Sequence, residues 1–241
     1  MQDWIPKCEA AEIHLTYRCD LSCIGCDRLC YLPPTTPDMT LKDAEDFVAQ
    51  ATELNWHPKM HLLGGEPTLH KDLYGFIDIF SQLSPGNVYV VSHWHGSHAQ
   101  KIMEHIENRG LAKTQPWGRK PDGSVVHDVL DCCIAPLDYG EEREPCWKHA
   151  EREGSCGISV DACGYTVCSS GGAIDGILQL GIRTKRLADL WDREFAYNQT
   201  KKLCNVCGRC LGIKNGGTKT IYGVPMTQTW SQAIERILYW P

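Results

Sequence analysis

Cys19, Cys23 and Cys26 form a C-x3-C-x2-C loop directly after the alternating polar and apolar residues 12–17. Three thiolates this close can wrap one iron–sulfur cube, for which thiolate is the usual ligand. A closed structural zinc site takes four ligands. Cys30 is near enough in sequence to supply the fourth, so a zinc knuckle of Cys19, Cys23, Cys26 and Cys30 competes for the same residues. With three protein ligands only, one iron stays open to a bound molecule. A second motif, Gly64-Gly65-Glu66-Pro67, closes the apolar run 59–63. Glycine lets a backbone come close to a partner, and a carboxylate accepts hydrogen bonds from an amino group. At this composition the two motifs coincide by chance on the order of 10⁻⁴ of the time.

A second cysteine set lies downstream. Cys204-Asn205-Val206-Cys207-Gly208-Arg209-Cys210 is C-x2-C-x2-C, with Cys146, Cys156, Cys163 and Cys168 before it. Residues 157–160 and 165–167, flanking Asp161-Ala162-Cys163-Gly164, read as a hairpin with a glycine-containing turn. That turn sets residues 156 and 168 side by side at the open end, roughly 5 Å apart, and Cys163 at the tip. Cys156, Cys168, Cys204 and Cys207 are therefore the best four-ligand set, with Cys146 and Cys210 as substitutes. A zinc ribbon competes here, because spacing alone does not separate zinc from iron. Cys132 and Cys133 follow the apolar Val129-Leu130 and are the candidate catalytic thiols, facing the mouth of the sheet as hydrogen-atom donors. The bland alternative for such thiols is the small buried hydrophobe. His93 and His95 alternate at a strand end, where sites form in sheets of this kind.

These residues need a scaffold, and the first half of the chain supplies strand and helix signals in turn. Residues 12–17, 59–63 and 87–92 read as strands. Thr40, with Asp43 three residues on, opens a helix carrying Ala44, Phe47, Val48 and Ala51 on one face. Residues 72–83 read as a second helix. Ser97, with Gln100, opens a third that Gly110 closes. Such alternation predicts a parallel sheet with crossover helices. After about residue 146 the periodicity weakens and cysteine and glycine become dense, and residues 230–239 read as a short amphipathic helix. The division is thus expected as 1–145 and 146–241.

Fourteen cysteines in 241 residues, without an apolar segment after Met1, point to metal ligation in a reducing cytoplasm rather than to disulfides. A formal net charge of −6 argues against a general polyanion binder, so no strong nucleic-acid signature is read. No apolar run approaches the length of a membrane span.

The cysteine loop after the first strand, paired with Gly-Gly-Glu-Pro after the second, strongly resembles the radical S-adenosylmethionine (radical SAM) superfamily over about residues 11–100. The resemblance implies a [4Fe–4S] cluster held by Cys19, Cys23 and Cys26, with S-adenosylmethionine chelating its fourth iron. It implies that Gly64, Gly65 and Glu66 bind the methionyl amino group and that Ser92 contacts the ribose. Gly25 departs from the aromatic that many members carry before the third cysteine. The downstream layout resembles the twitch domain, the short form of the SPASM domain, and implies an auxiliary [4Fe–4S] cluster. Roughly 130 residues precede that set, whereas a full eight-fold barrel takes about 200–250, so the implied fold is α/β, a truncated, partial TIM-type barrel. The implied activity is reductive cleavage of S-adenosylmethionine and hydrogen abstraction from a substrate C–H bond, ending in oxidation, bond formation or isomerisation. The implied partners are a peptide, amino-acid-derived or nucleotide-borne substrate and an electron donor such as flavodoxin or ferredoxin. A two-cluster electron carrier and a zinc-bound binding module are the rival classes.

Overall fold

The structure, a computed structural model, describes residues 9–23, 26–116, 132–143, 157–208 and 226–239. Four strands, β1 (Ala10–Thr16), β2 (Lys59–Gly64), β3 (Val88–Ser92) and β4 (Lys113–Pro116), alternate with α1 (Leu41–Glu53), α2 (Leu73–Leu83) and α3 (Gly96–Arg109). They pair in parallel and in chain order. On β1 the period of two sends Ala11, Ile13 and Leu15 into the core shared with α1 and α2, and Glu12, His14 and Thr16 to the opposite face.

The helix signals are met with one difference. Thr40 caps α1 by accepting from the Asp43 N–H, while the Asp43 carboxylate accepts from the Thr40 N–H, and Ala44, Phe47 and Ala51 are buried at helical spacing. α2 buries Leu73, Phe76, Ile77 and Phe80 against the same core. α3 ends at Gly110 in the left-handed conformation, but begins at Gly96 rather than at Ser97, with His95 as an N-cap that makes no side-chain bond.

The hairpin forms as β5 (Ile158–Asp161) and β6 (Gly164–Thr166), with Ser159 opposite Thr166. Asp161 fixes its turn by accepting from the N–H groups of Cys163 and Gly164. β5 pairs in parallel with β1, so one six-stranded sheet runs β4-β3-β2-β1-β5-β6 across the expected division of the chain. The residues around that division, 144–156, lie outside those described.

Three further helices, α4 (Gly171–Leu178), α5 (Arg193–Asn205) and α6 (Gln228–Tyr239), build a second apolar cluster. It contains Ile174, Ile177, Leu203, Val206, Trp230 and Ala233, and takes Leu29 and Leu32 from the segment after the cysteine loop. Trp230 is fully buried, and its Nε1–H donates to the Val206 carbonyl at 2.7 Å, tying α6 to the downstream cysteine segment. Among the described residues, no helix is long and apolar enough to cross a membrane.

Candidate metal centre

The C-terminal ends of β1 and β2 are stitched together where the two motifs begin. The Gly65 N–H donates to the Thr16 carbonyl at 2.7 Å and the Glu66 N–H to the Arg18 carbonyl at 2.9 Å. A Cβ on Gly64 would stand 2.1 Å from the Thr16 oxygen, and one on Gly65 would stand 2.0 Å from the Arg18 oxygen. The glycine pair is thus required by the approach of two backbones, one residue before Cys19. Gly64 also sits at φ +132°, which glycine reaches without strain.

Cys19, Cys23 and Cys26 are half-buried free thiols on the loop that leaves this junction. Cys19 and Cys26 pack against a buried group of Tyr17, Cys30 and Ala173. The Cys30 sulfur lies 3.7 Å from the Arg28 carbonyl and 3.8 Å from the Gly64 carbonyl, linking the loop to the glycine pair. The thiols differ electrostatically. A hydrogen bond from Cys30, aided by backbone N–H groups and opposed by burial, pulls the Cys26 thiol down to about 6. Burial pushes the Cys19 thiol up to about 11, with the Glu66 charge adding to it, and burial also raises Cys23. Cys26 is therefore the thiol of the bare loop that gives up its proton most readily, and a bound cation would replace the protons of the others.

Glu66 is 1% exposed and acts as a hub. Its carboxylate accepts from the Thr68 N–H and hydroxyl, from the Ser92 hydroxyl and from the His93 N–H. These bonds join the end of β2 to the end of β3. Ser92 turns its hydroxyl to Glu66 and accepts from the Trp94 N–H at 2.9 Å. In this structure both side chains, assigned by the resemblance to cofactor contacts, are engaged with the protein itself.

A triad absent from the sequence reading lies beside them. Among the described residues, the group of three His, Cys, Asp or Glu ligand atoms within 4.8 Å of one another is Cys19, Asp20 and His93. The sulfurs of Cys19, Cys23 and Cys26 do not converge in that way. A polynuclear cluster needs no such convergence, because each thiolate meets a different iron. Three loop thiols, a backbone junction that admits only glycine and a buried carboxylate behind it form a donor set that fits an iron–sulfur group. The alternating His93 and His95 were the available sequence signal for the triad. Nothing in the spacing linked either one to Asp20.

The downstream set is brought together in part. Cys204 and Cys207 are buried at the end of α5, and Cys168 packs against the second apolar cluster, which includes Cys207. Cys146, Cys156 and Cys210 lie outside the described residues. Cys163 takes its place in the hairpin turn. Cys132 and Cys133, the candidate catalytic thiols, are both buried in the second apolar cluster with Leu29, Cys207 and Trp230. Cys133 meets the Tyr31 hydroxyl at 3.8 Å.

The fold is shared with BtrN. A crystal structure of BtrN in complex with AdoMet and 2-DOIA matches with a TM-score of 0.57 at 14% identity, covering 83% of this chain and 92% of that one. An open conformation of BtrN matches at 0.51 and 13% identity, covering 86% and 92%. SuiB of Streptococcus suis bound to S-adenosylmethionine matches only 39% of this chain and 20% of its own, at a TM-score of 0.29 and 23% identity. No protein-family model and no curated protein sequence matches the chain. The α/β sheet seen here thus shares the fold of BtrN, a protein solved with AdoMet bound.

Proposed function

We propose that the chain is a radical SAM enzyme. The observation that carries this reading is the junction of Gly64-Gly65 with Thr16 and Arg18, which sets the glycine pair against the start of the three-cysteine loop on a partial radical SAM barrel. Cys19, Cys23 and Cys26 would hold a [4Fe–4S] cluster, and the Gly64–Glu66 segment would bind S-adenosylmethionine beside it. Bound there, this pair supplies one-electron cleavage of a sulfonium and a carbon radical able to take hydrogen from an unactivated C–H bond.

The chain's own residues order that site. Glu66 clamps the β3 end through Ser92 and His93. On the face of β1 and β5 turned away from the α1–α2 core, α4 lies close: a Cβ on Gly172 would stand 2.5 Å from an Asp161 oxygen and 2.8 Å from the Tyr17 hydroxyl. Tyr17 donates to Asp161 at 3.0 Å, and Arg183 lies between Asp161 and Asp175, at 3.4 and 3.5 Å. This buried polar group fixes α4 over the sheet and holds Tyr17, against which Cys19 and Cys26 pack.

Cys168, Cys204 and Cys207, with Cys156, are the proposed ligands of an auxiliary cluster in a twitch-like region. The proposed substrate is a peptide, amino-acid-derived or nucleotide-borne group, the electron donor a flavodoxin or ferredoxin, and the compartment a reducing cytoplasm. The test is anaerobic: iron-loaded protein, dithionite and S-adenosylmethionine, with 5′-deoxyadenosine measured by chromatography. The reading predicts the nucleoside from the parent and none from Cys23→Ala. Equal yields from the two, or a colourless protein that retains only zinc, overturn it.

A further inference from the structure

The resemblance gives His93 no role, yet few side chains here are as firmly held. Its side chain is 6% exposed, at the end of β3. Its Nδ1 accepts the His95 backbone N–H at 2.8 Å, which leaves the ring proton on Nε2. That N–H points to Asp20 Oδ1 at 2.7 Å and lies 3.1 Å from Glu66 Oε2. The turn presenting the ring is itself constrained, with Trp94 at φ +55° and its N–H bonded to Ser92. A bulky residue in that conformation persists only where its surroundings hold it.

Asp20 lies between Cys19 and Cys23, and its side chain is 49% exposed. Untethered, such a carboxylate would turn into solvent. Bonded to His93, it keeps an oxygen within 4.8 Å of the Cys19 sulfur. A fixed negative charge beside a cluster thiolate opposes the arrival of an electron, and net charge is among the factors that set iron–sulfur potentials.

We propose that His93 and Asp20 form a tuning pair, in which His93 is the positioning residue that holds the Asp20 carboxylate beside Cys19, and this charge lowers the reduction potential of the cluster on the amino-terminal loop. The proposal rests on the radical SAM reading. It also explains why a half-exposed aspartate is anchored to a buried imidazole.

The experiment is an anaerobic redox titration of the reconstituted full chain, followed by EPR on the signal that changes when S-adenosylmethionine is added. Asp20→Asn keeps the size of the side chain and removes its charge. Its midpoint is expected to move to a less negative potential at unchanged iron content. His93→Leu frees the carboxylate and is expected to move it in the same direction, whereas His93→Gln, which keeps a donor, stays nearer the parent. Should His93→Leu fail to fold, Asp20→Asn decides the matter, because that side chain is half-exposed. A midpoint in Asp20→Asn equal to the parent's overturns the proposal while leaving the radical SAM reading intact. A parent without any signal that responds to S-adenosylmethionine overturns both.

Discussion

Gly65→Ala probes the junction on which the site is built. The added Cβ would stand 2.0 Å from the Arg18 carbonyl oxygen, and ordinary contact begins at 3.4 Å, so the two backbones must part by about 1.4 Å. The obstruction is main chain, which no side-chain rotation relieves. Parting them strains or breaks the bonds from the Gly65 and Glu66 N–H groups to Thr16 and Arg18. At about 1 kcal/mol net for each bond, and more where a buried group is left unpaired, the cost is about 2–4 kcal/mol. Gly86→Ala is the control: a Cβ there meets nothing within 4 Å, and only its φ of +71° opposes the change, at about 1–2 kcal/mol. Urea denaturation of both variants in the reduced, iron-free chain measures the difference. In the loaded enzyme, a displacement of this size is expected to lower 5′-deoxyadenosine formation by about 100-fold. A Gly65→Ala protein within about 0.5 kcal/mol of the parent, with unimpaired cleavage, refutes the claim that backbone approach is why glycine stands here.

The remaining predictions concern the thiols, a buried histidine and the second core. In the iron-free chain at neutral pH, Cys26 is expected to react with iodoacetamide ahead of Cys19 and Cys23, because the Cys30 hydrogen bond holds its thiol near 6. Cys30→Ala should slow that reaction, and peptide mapping by mass spectrometry reads both results. His14 is buried, and burial first, then the Arg28 charge, holds it well below its ordinary value. A depressed folded-state value means its contribution is present above the unfolded value of about 6.5 and is lost as pH falls below it, by up to about 1.4 kcal/mol per pH unit. His14→Gln should flatten the stability curve between about pH 7 and 5.5, and parallel curves for parent and variant contradict the assignment. Trp230→Ala removes a fully buried indole and its bond to Val206, and should cost about 3–5 kcal/mol in denaturant unfolding.

The parts of the fold that could be read in advance are those set by local chemistry. The period of two in β1, the reciprocal Thr40–Asp43 cap, Gly110 after α3 and the Asp161–Gly164 turn each depend on residues within a few positions of one another. The pairing of β5 with β1 could not be read in this way. A parallel partner 147 residues away, as Ile158 is from Ala11, leaves no spacing signal. The cysteine loop and the glycine pair were legible because each motif is compact, although the collision that demands glycine appears only when β1 and β2 lie side by side. Cys132 and Cys133 show the opposite case. An apolar approach followed by two thiols is compatible with either face of a sheet or with neither, and their packing with Trp230 and Leu29 appears only in the fold. The resemblance gives Glu66 to the methionyl amino group, while four donors from the end of β3 and the turn after β2 claim its carboxylate. Asp20 and His93 are 73 residues apart, and only the fold joins them.

The central claim is that the amino-terminal loop leaves one iron without a protein ligand. Mössbauer spectroscopy of ⁵⁷Fe-loaded Cys207→Ser protein, taken with and without S-adenosylmethionine, addresses it directly, since the substitution removes a proposed ligand of the other set. The account predicts that one iron of the cube changes its isomer shift when the cofactor is added, while its three neighbours do not. A spectrum indifferent to the cofactor, with Cys30 or another side chain completing the coordination, contradicts it.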